Sequence, residues 1–235
     1  MANNRSQRSI TMRQSGFPTA NSSVNTIEVN SVLRNTYLLL SLTLLFSAGC
    51  AWYAMSINAA PVGFLLLIVG MIGLSFLVQA TRNSAWGLVS IFAYTGFMGY
   101  VLGPILNFYI KGFSNGTELI TTAFGATGSI FVCLSVYTLL TRKNFNYLGG
   151  VIAIGALLAF LAGIGGMLFH LPMLQLFVSG AFAIISAGYI LFTTSAIIHG
   201  GERNYISATI MLYVAIFNLF VSLLNILGGL SGNRN

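Results

Sequence analysis

Seven long apolar segments, separated by short polar breaks, make up most of this 235-residue chain. None of them has Asp, Glu, Lys or Arg at its middle, and they lie at 33–57, 62–79, 85–107, 119–140, 148–169, 173–197 and 207–229. About 20 apolar residues in a helix cross the hydrocarbon core of a bilayer. The segments are continuous rather than short and alternating, which favours helices over barrel strands. The sequence therefore predicts an all-α polytopic membrane protein, a bundle of seven transmembrane helices.

The composition excludes the soluble classes of protein. Charged residues make up 6% of the chain, against roughly 25% in a soluble domain, so the chain could not cover a water-facing surface. A soluble globular domain, a disordered protein and a disulfide scaffold are all excluded. The net charge is +7, but the basic residues are scattered between apolar runs and form no basic face, so we expect no nucleic-acid partner.

The basic residues also predict the orientation of the chain. Cytoplasmic loops carry an excess of Lys and Arg, and an inner N-terminus gives the strongest bias. The inner side then holds Arg5, Arg8, Arg13, Arg34, Arg82, Arg142, Lys143 and Arg203, and the outer side holds Lys111 and Arg234. Because seven is an odd number of spans, the C-terminus is expected outside.

The chain divides into a polar arm and a membrane domain. Residues 1–30 are rich in Asn, Ser and Thr, show no hydrophobic period and contain Arg5, Arg8 and Arg13. Such a segment buries too little apolar surface to fold, so we expect a disordered cytoplasmic arm. Residues 31–235 form the seven-helix domain.

Catalytic and metal-binding patterns are missing from the sequence. It contains no H-E-x-x-H motif, no G-x-S-x-G motif and no Asp at all. His170 and His199 lie near span ends without Cys, Asp or Glu at ligand spacing. We therefore predict a protein that is not an enzyme and holds no metal or cofactor.

The third span carries a glycine face. Gly96, Gly99 and Gly103 share one side of the helix, with small-xxx-small spacing between the last two. Such spacing allows another helix backbone to approach closely, and Pro104 should kink or end the helix. Close packing with a kink is the favoured interpretation, and a ligand site is the alternative.

Two polar stripes mark the last two spans. Each puts small or hydrogen-bonding groups on one helix face: Ser179, Ser186 and Thr193 in the sixth span, and Ala215, Asn218, Ser222 and Asn225 in the seventh. Because Asn is poorly tolerated against lipid, Asn218 and Asn225 should point into the bundle. Interhelical hydrogen bonding is the favoured interpretation, and the lining of a polar path is the alternative.

Several segments together resemble one known family. They are Val32–Tyr37, Thr95–Asn107, Thr141–Lys143 and Ile197–Tyr205, which runs into the last span. Over about residues 32–229 the chain resembles the Bax inhibitor-1, or transmembrane BAX inhibitor motif, family, and specifically its bacterial YccA-like branch.

The resemblance implies a fold, a location and a partner. The family fold has seven helices, with the last enclosed by the other six. Similar bacterial members are inner-membrane proteins that the membrane AAA protease FtsH binds and degrades, and that can restrain it. An FtsH-type protease with its associated membrane proteins, and membrane lipid, are therefore the implied partners. The arm with Arg5, Arg8 and Arg13 would be the segment that the protease grips.

An alternative function also follows from the resemblance. Other family members are proposed to leak calcium through a pH-sensing aspartate pair, one on the sixth helix and one on the seventh. The matching positions here are Thr193 and Ala215. Neither can ionise, whereas two close carboxylates sense pH by sharing a proton.

Overall fold

A computed structural model describes the backbone of residues 20–232 and the side chains of residues 28–232. Its seven helices are each long and apolar enough to cross a membrane. They are α1 (Ala20–Ser56), α2 (Phe64–Thr81), α3 (Trp86–Gly112), α4 (Gly116–Thr141), α5 (Leu148–Leu168), α6 (Pro172–Ile198) and α7 (Tyr205–Ser231). The predicted all-α, seven-helix membrane fold is confirmed.

The connections between helices are short and alternate between the two ends of the bundle. Residues 82–85, 142–147 and 199–204 lie at the end where α1 begins. This end carries Arg34, Arg82, Arg142, Lys143 and Arg203, and we call it the basic face. Residues 57–63, 113–115 and 169–171 make up the opposite face, which carries Lys111.

The last helix occupies the centre of the bundle. Half of the residues in the most apolar 18-residue stretch of α7 are buried, the largest fraction among the seven helices of the described chain. α7 packs against α1, α2, α3, α4 and α6. Within the described residues α5 packs on α6 and faces α7 across a cavity that the three helices line. The predicted central position of the last helix is confirmed.

Most helix boundaries lie within about three residues of the predicted ones, and two differ more. α1 begins at Ala20, so its first residues overlap the segment expected to be a disordered arm. Once a helix is nucleated, each further residue adds a hydrogen bond, and the polar start of α1 extends the helix beyond the apolar run. Residues 1–19, including Arg5, Arg8 and Arg13, lie outside the described residues.

The second difference concerns Pro104. α3 does not end at Pro104 but continues to Gly112. A proline in a transmembrane helix removes one amide donor, and neighbouring helices can compensate for the loss. Three residues after Pro104, the side-chain Nδ2 of Asn107 donates a hydrogen bond of 3.1 Å to the Met55 carbonyl oxygen and ties α3 to α1. A kink at Pro104 stays a prediction.

Candidate functional site

The glycine face of α3 lies directly against α1. A Cβ atom built on Gly99 would collide with the carbonyl oxygen of Ser47, and one on Gly103 would lie 2.5 Å from the Ala54 Cβ. One on Gly96 would lie 2.8 Å from the Phe46 ring. The sequence indicated a close backbone approach, and the structure identifies its partner as α1.

A buried hydrogen-bond network lies beside this contact. The hydroxyl groups of Ser47 and Tyr213 are 2.6 Å apart, and the Tyr213 hydroxyl donates to the Thr95 carbonyl oxygen at 3.3 Å. It joins α1, α3 and α7 in the middle of the bundle. Sequence reasoning missed it, although a tyrosine in an apolar span signals that its hydroxyl needs a partner when buried.

The polar stripe of α6 is buried, and one of its hydroxyl groups has no partner. Ser179, Ser186 and Thr193 are at most 8% exposed. Ser179 donates to the carbonyl oxygen of Gln175 within its own helix. The Thr193 hydroxyl has no hydrogen-bond partner within the described part of the chain.

The polar stripe of α7 divides between different surroundings. Ala215 and Ser222 are buried, and Asn218 is half-buried with its Nδ2 bonded to the Val214 carbonyl oxygen of its own helix. The expectation that Asn225 points into the bundle is wrong, because Asn225 is exposed. Its Oδ1 accepts a 2.9 Å hydrogen bond from the Tyr109 hydroxyl, and its position near the end of α7 makes this exposure tolerable.

The two stripes meet at one cavity. Ser186, Ala215 and Asn218 line a space of about 320 Å³ between α5, α6 and α7, and apolar side chains form most of its wall. Thr193, Ser222 and Asn225 do not line it. Ala215 packs in an apolar cluster with Ile190 and Leu219, so the position that the resemblance pairs with a family aspartate has apolar surroundings in this chain.

The α6–α7 connection joins the other loops of the basic face. Asn204 caps α7, because its side-chain Oδ1 accepts from the backbone N–H groups of Ile206 and Ser207 at 2.9 and 3.1 Å. Its Nδ2 donates to the carbonyl oxygen of Arg82 and to Oδ1 of Asn83, each at 2.9 Å. One side chain thus starts α7 and holds the α2–α3 connection.

The end of α6 holds the α4–α5 connection in the same way. The Ser195 hydroxyl donates to the Lys143 carbonyl oxygen at 3.2 Å and accepts from the Phe145 N–H at 2.9 Å. His199 Nε2 lies 3.1 Å from the Arg142 carbonyl oxygen. The sequence contained signals for these contacts: Asn204 precedes an apolar run, as an N-cap does, and Ser195 and His199 share a helix face at i, i+4 spacing.

These contacts assign a structural role to segments that carried the family resemblance. Thr141–Lys143 and Ile197–Tyr205 are distant in sequence and meet at the basic face. A comparison with protein-family models matches residues 29–233 to the family described as "Inhibitor of apoptosis-promoting Bax1". The chain belongs to the Bax inhibitor-1 family. The match covers the seven membrane-spanning helices of the described chain and lacks only Glu28, the first residue of the first span.

Curated bacterial relatives within the Bax inhibitor-1 family cover nearly the whole chain. The Modulator of FtsH protease YccA of Escherichia coli is 48% identical over 202 residues, which are 86% of this chain and 91% of that protein. An uncharacterized protein of Pseudomonas aeruginosa is 50% identical over 206 residues, covering 88% and 92%. An uncharacterized membrane protein of Vibrio cholerae is 41% identical over 218 residues, covering 92% and 97%.

Removing the Ser195 hydroxyl should destabilise the basic face. Ser195→Ala leaves the Phe145 N–H and the Lys143 carbonyl oxygen without their partner, and we expect a loss of about 1–3 kcal/mol in unfolding free energy. Thermal unfolding in detergent measures the effect. Thr194→Val is the matched control on the preceding residue, since the buried Thr194 hydroxyl has no partner in the described chain. That variant should be as stable as the parent or more so, and equal losses in both variants would contradict the assignment.

Proposed function

We propose that this protein is a non-enzymatic client and modulator of an FtsH-type membrane protease in a bacterial inner membrane. The observation that carries this proposal is the 48% identity to the E. coli modulator of FtsH, which extends over 86% of this chain and 91% of that relative. The family match over residues 29–233 supports a shared fold for the whole membrane domain.

The N-terminal segment is the proposed point at which the protease engages. Residues 1–19 precede α1, and α1 begins at the basic face. With this face in the cytoplasm, as the excess of Lys and Arg favours, the N-terminus lies on the cytoplasmic side and the C-terminus in the periplasm. A protease that pulls from the N-terminus would extract α1 first.

The packing of α1 gives a physical basis for restraint. α1 lies against α3 at a glycine face where Ser47 and Ala51 backbone oxygens approach Gly99 and Gly103. It is also tied to α7 through the 2.6 Å contact of Ser47 with Tyr213. A client whose first helix is held this closely is slow to extract, so it occupies the protease and delays the degradation of other substrates.

Deletion of residues 2–19 tests the engagement step. This deletion leaves α1 intact from Ala20, and we expect the half-life of the protein to lengthen severalfold in cells that contain the protease. The half-life in cells that lack the protease should not change. A triple Arg5→Gln, Arg8→Gln, Arg13→Gln variant keeps the length of the segment and removes these three charges. It shows whether engagement depends on the charge of the segment or on its length. An unchanged half-life after the deletion would refute the proposed engagement.

Modulation is tested separately with a second substrate. Purified FtsH-type protease is reconstituted in vesicles with an unrelated membrane substrate, with and without a molar excess of this protein. We expect slower degradation of the substrate when the protein is present. The same rate in both samples would remove the modulator role while leaving a client role possible, and the deletion experiment distinguishes the two.

A further inference from the structure

A lateral cleft separates α1 from α4. No Cα atom of α1 lies within 8 Å of a Cα atom of α4 in the described part of the chain. The cleft between them has a volume of about 510 Å³ and is walled by α1 from Leu44 to Met55 and by α4 from Ile120 to Phe131. Leu102 and Leu106 of α3 and residues 213–220 of α7 form its floor.

Apart from the Trp52 indole at its rim, the lining of the cleft offers no free hydrogen-bonding side chain to a polar ligand. It contains no charged residue, and its hydroxyl groups belong to Ser47, Thr121, Thr127 and Tyr213. Ser47 and Tyr213 are bonded to each other, and Thr121 and Thr127 donate to carbonyl oxygens of their own helix at 2.8 and 2.7 Å. Because every hydroxyl group already has a partner, water would gain few hydrogen bonds there and the cleft suits an apolar occupant.

The dimensions of the cleft select among apolar occupants. Eleven residue steps along α1, from Leu44 to Met55, correspond to about 16 Å at 1.5 Å per residue. One leaflet of a hydrocarbon core about 30 Å thick is about 15 Å deep. A transmembrane helix crosses both leaflets, about 30 Å of hydrocarbon, which is about twice the length of the cleft. An acyl chain lies within a single leaflet, so the length of the cleft suits an acyl chain.

The two ends of the cleft also differ. Towards the basic face the rings of Tyr37 on α1 and Phe131 on α4 lie 6.0 Å apart and bridge the two helices. Towards the opposite face, Trp52 lies at the rim and is 71% exposed, and tryptophan is enriched at membrane interfaces. The cleft is therefore closed near the centre of the bundle and open towards one leaflet.

We propose that the α1/α4 cleft is a lipid site that holds one acyl chain of a phospholipid from the leaflet at the opposite face. The chain enters beside Trp52 and extends to Tyr37 and Phe131. It covers Phe217 and Phe220 of α7, the floor of the cleft. This site goes beyond the proposed function and does not depend on it.

Photo-crosslinking tests the lipid site on the full-length protein without any protease. The protein is reconstituted in phosphatidylethanolamine and phosphatidylglycerol vesicles that contain a trace of phospholipid with a diazirine near the end of one acyl chain. Mass spectrometry then maps the labelled residues. We expect labelling of Phe217 and Phe220. Phe220 is only 8% exposed, so an acyl chain has to enter the cleft to reach it. An unlabelled cleft floor would overturn the proposal.

Two open glycines on α4 provide a matched pair of variants. A Cβ on Gly128 or Gly125 has nothing within 4 Å, but only Gly128 lines the cleft. Gly128→Leu should weaken floor labelling about tenfold, equivalent to about 1.4 kcal/mol of binding free energy. Gly125→Leu should leave labelling unchanged, and equal labelling of the two variants would refute the site.

A further variant and a dilution series complete the test. Ala48→Leu fills the cleft from α1 and should also weaken the labelling of the cleft floor. It replaces Gly128→Leu in the test if that variant does not fold. Labelling of the parent protein should be the same at all protein-to-lipid ratios. Labelling that appears only on dilution with lipid would mean that a second copy of the chain occupies the cleft, which would contradict the lipid assignment.

Discussion

Gly99→Leu should prevent α1 from packing on α3 and destabilise the whole membrane domain. The Cβ alone would collide with the carbonyl oxygen of Ser47, and a helix backbone cannot move aside as a side-chain end can. Overpacking of a core costs about 1–3 kcal/mol and sometimes more, so we expect Gly99→Ala within that range and Gly99→Leu above it. Thermal unfolding in detergent and the amount of folded protein in membranes measure the loss.

The control for this prediction lies on the same helix. A Cβ on Gly112 has nothing within 4 Å, so Gly112→Leu adds the same side chain without a collision and should unfold at the parent temperature. Under the proposed function, the Gly99 variants should also be degraded faster by the protease and restrain it less. A Gly99→Leu protein with parent stability would show that α1 and α3 are further apart than the structure has them.

Local patterns in the sequence predicted the helices because hydropathy depends on each segment alone. All seven spans were found, and the glycine face of α3 followed from the spacing of Gly96, Gly99 and Gly103. The partner of that face did not, because α1 and α3 are joined through α2 and only the folded chain brings Ser47 to Gly99. The third span was predicted to end at residue 107, whereas α3 continues to Gly112.

The basic face was harder to predict for a related reason. The sequence placed His199 near a span end and Asn204 in the break that follows it, but Ser195 lay inside the predicted sixth span, 173–197, without a predicted role. Their partners at Asn83, Lys143 and Arg142 lie more than 50 residues away in sequence. Which loops of a seven-helix bundle become neighbours depends on helix order in the bundle, and no periodicity in the chain encodes that order.

Asn204→Ala should cause the largest loss of stability at the basic face. It removes an N-cap, worth about 1 kcal/mol, and two hydrogen bonds to the α2–α3 connection, each worth about 1 kcal/mol. The expected cost is therefore about 3 kcal/mol of unfolding free energy, measured by thermal unfolding in detergent. Hydrogen exchange should become faster both at residues 205–208, where α7 begins, and at residues 82–85, which Asn204 contacts.

Asn204→Ser separates the two roles of this side chain. Serine is as good an N-cap as asparagine, so the first turn of α7 should keep its protection and the cost should fall to about 2 kcal/mol. Serine cannot reproduce both bonds that Nδ2 donates to Arg82 and Asn83, and residues 82–85 should exchange as fast as in Asn204→Ala. If those residues keep their protection in both variants, the α2–α3 connection is held by other contacts, such as that of Arg82 with Ser207, and Asn204 acts as a helix cap alone.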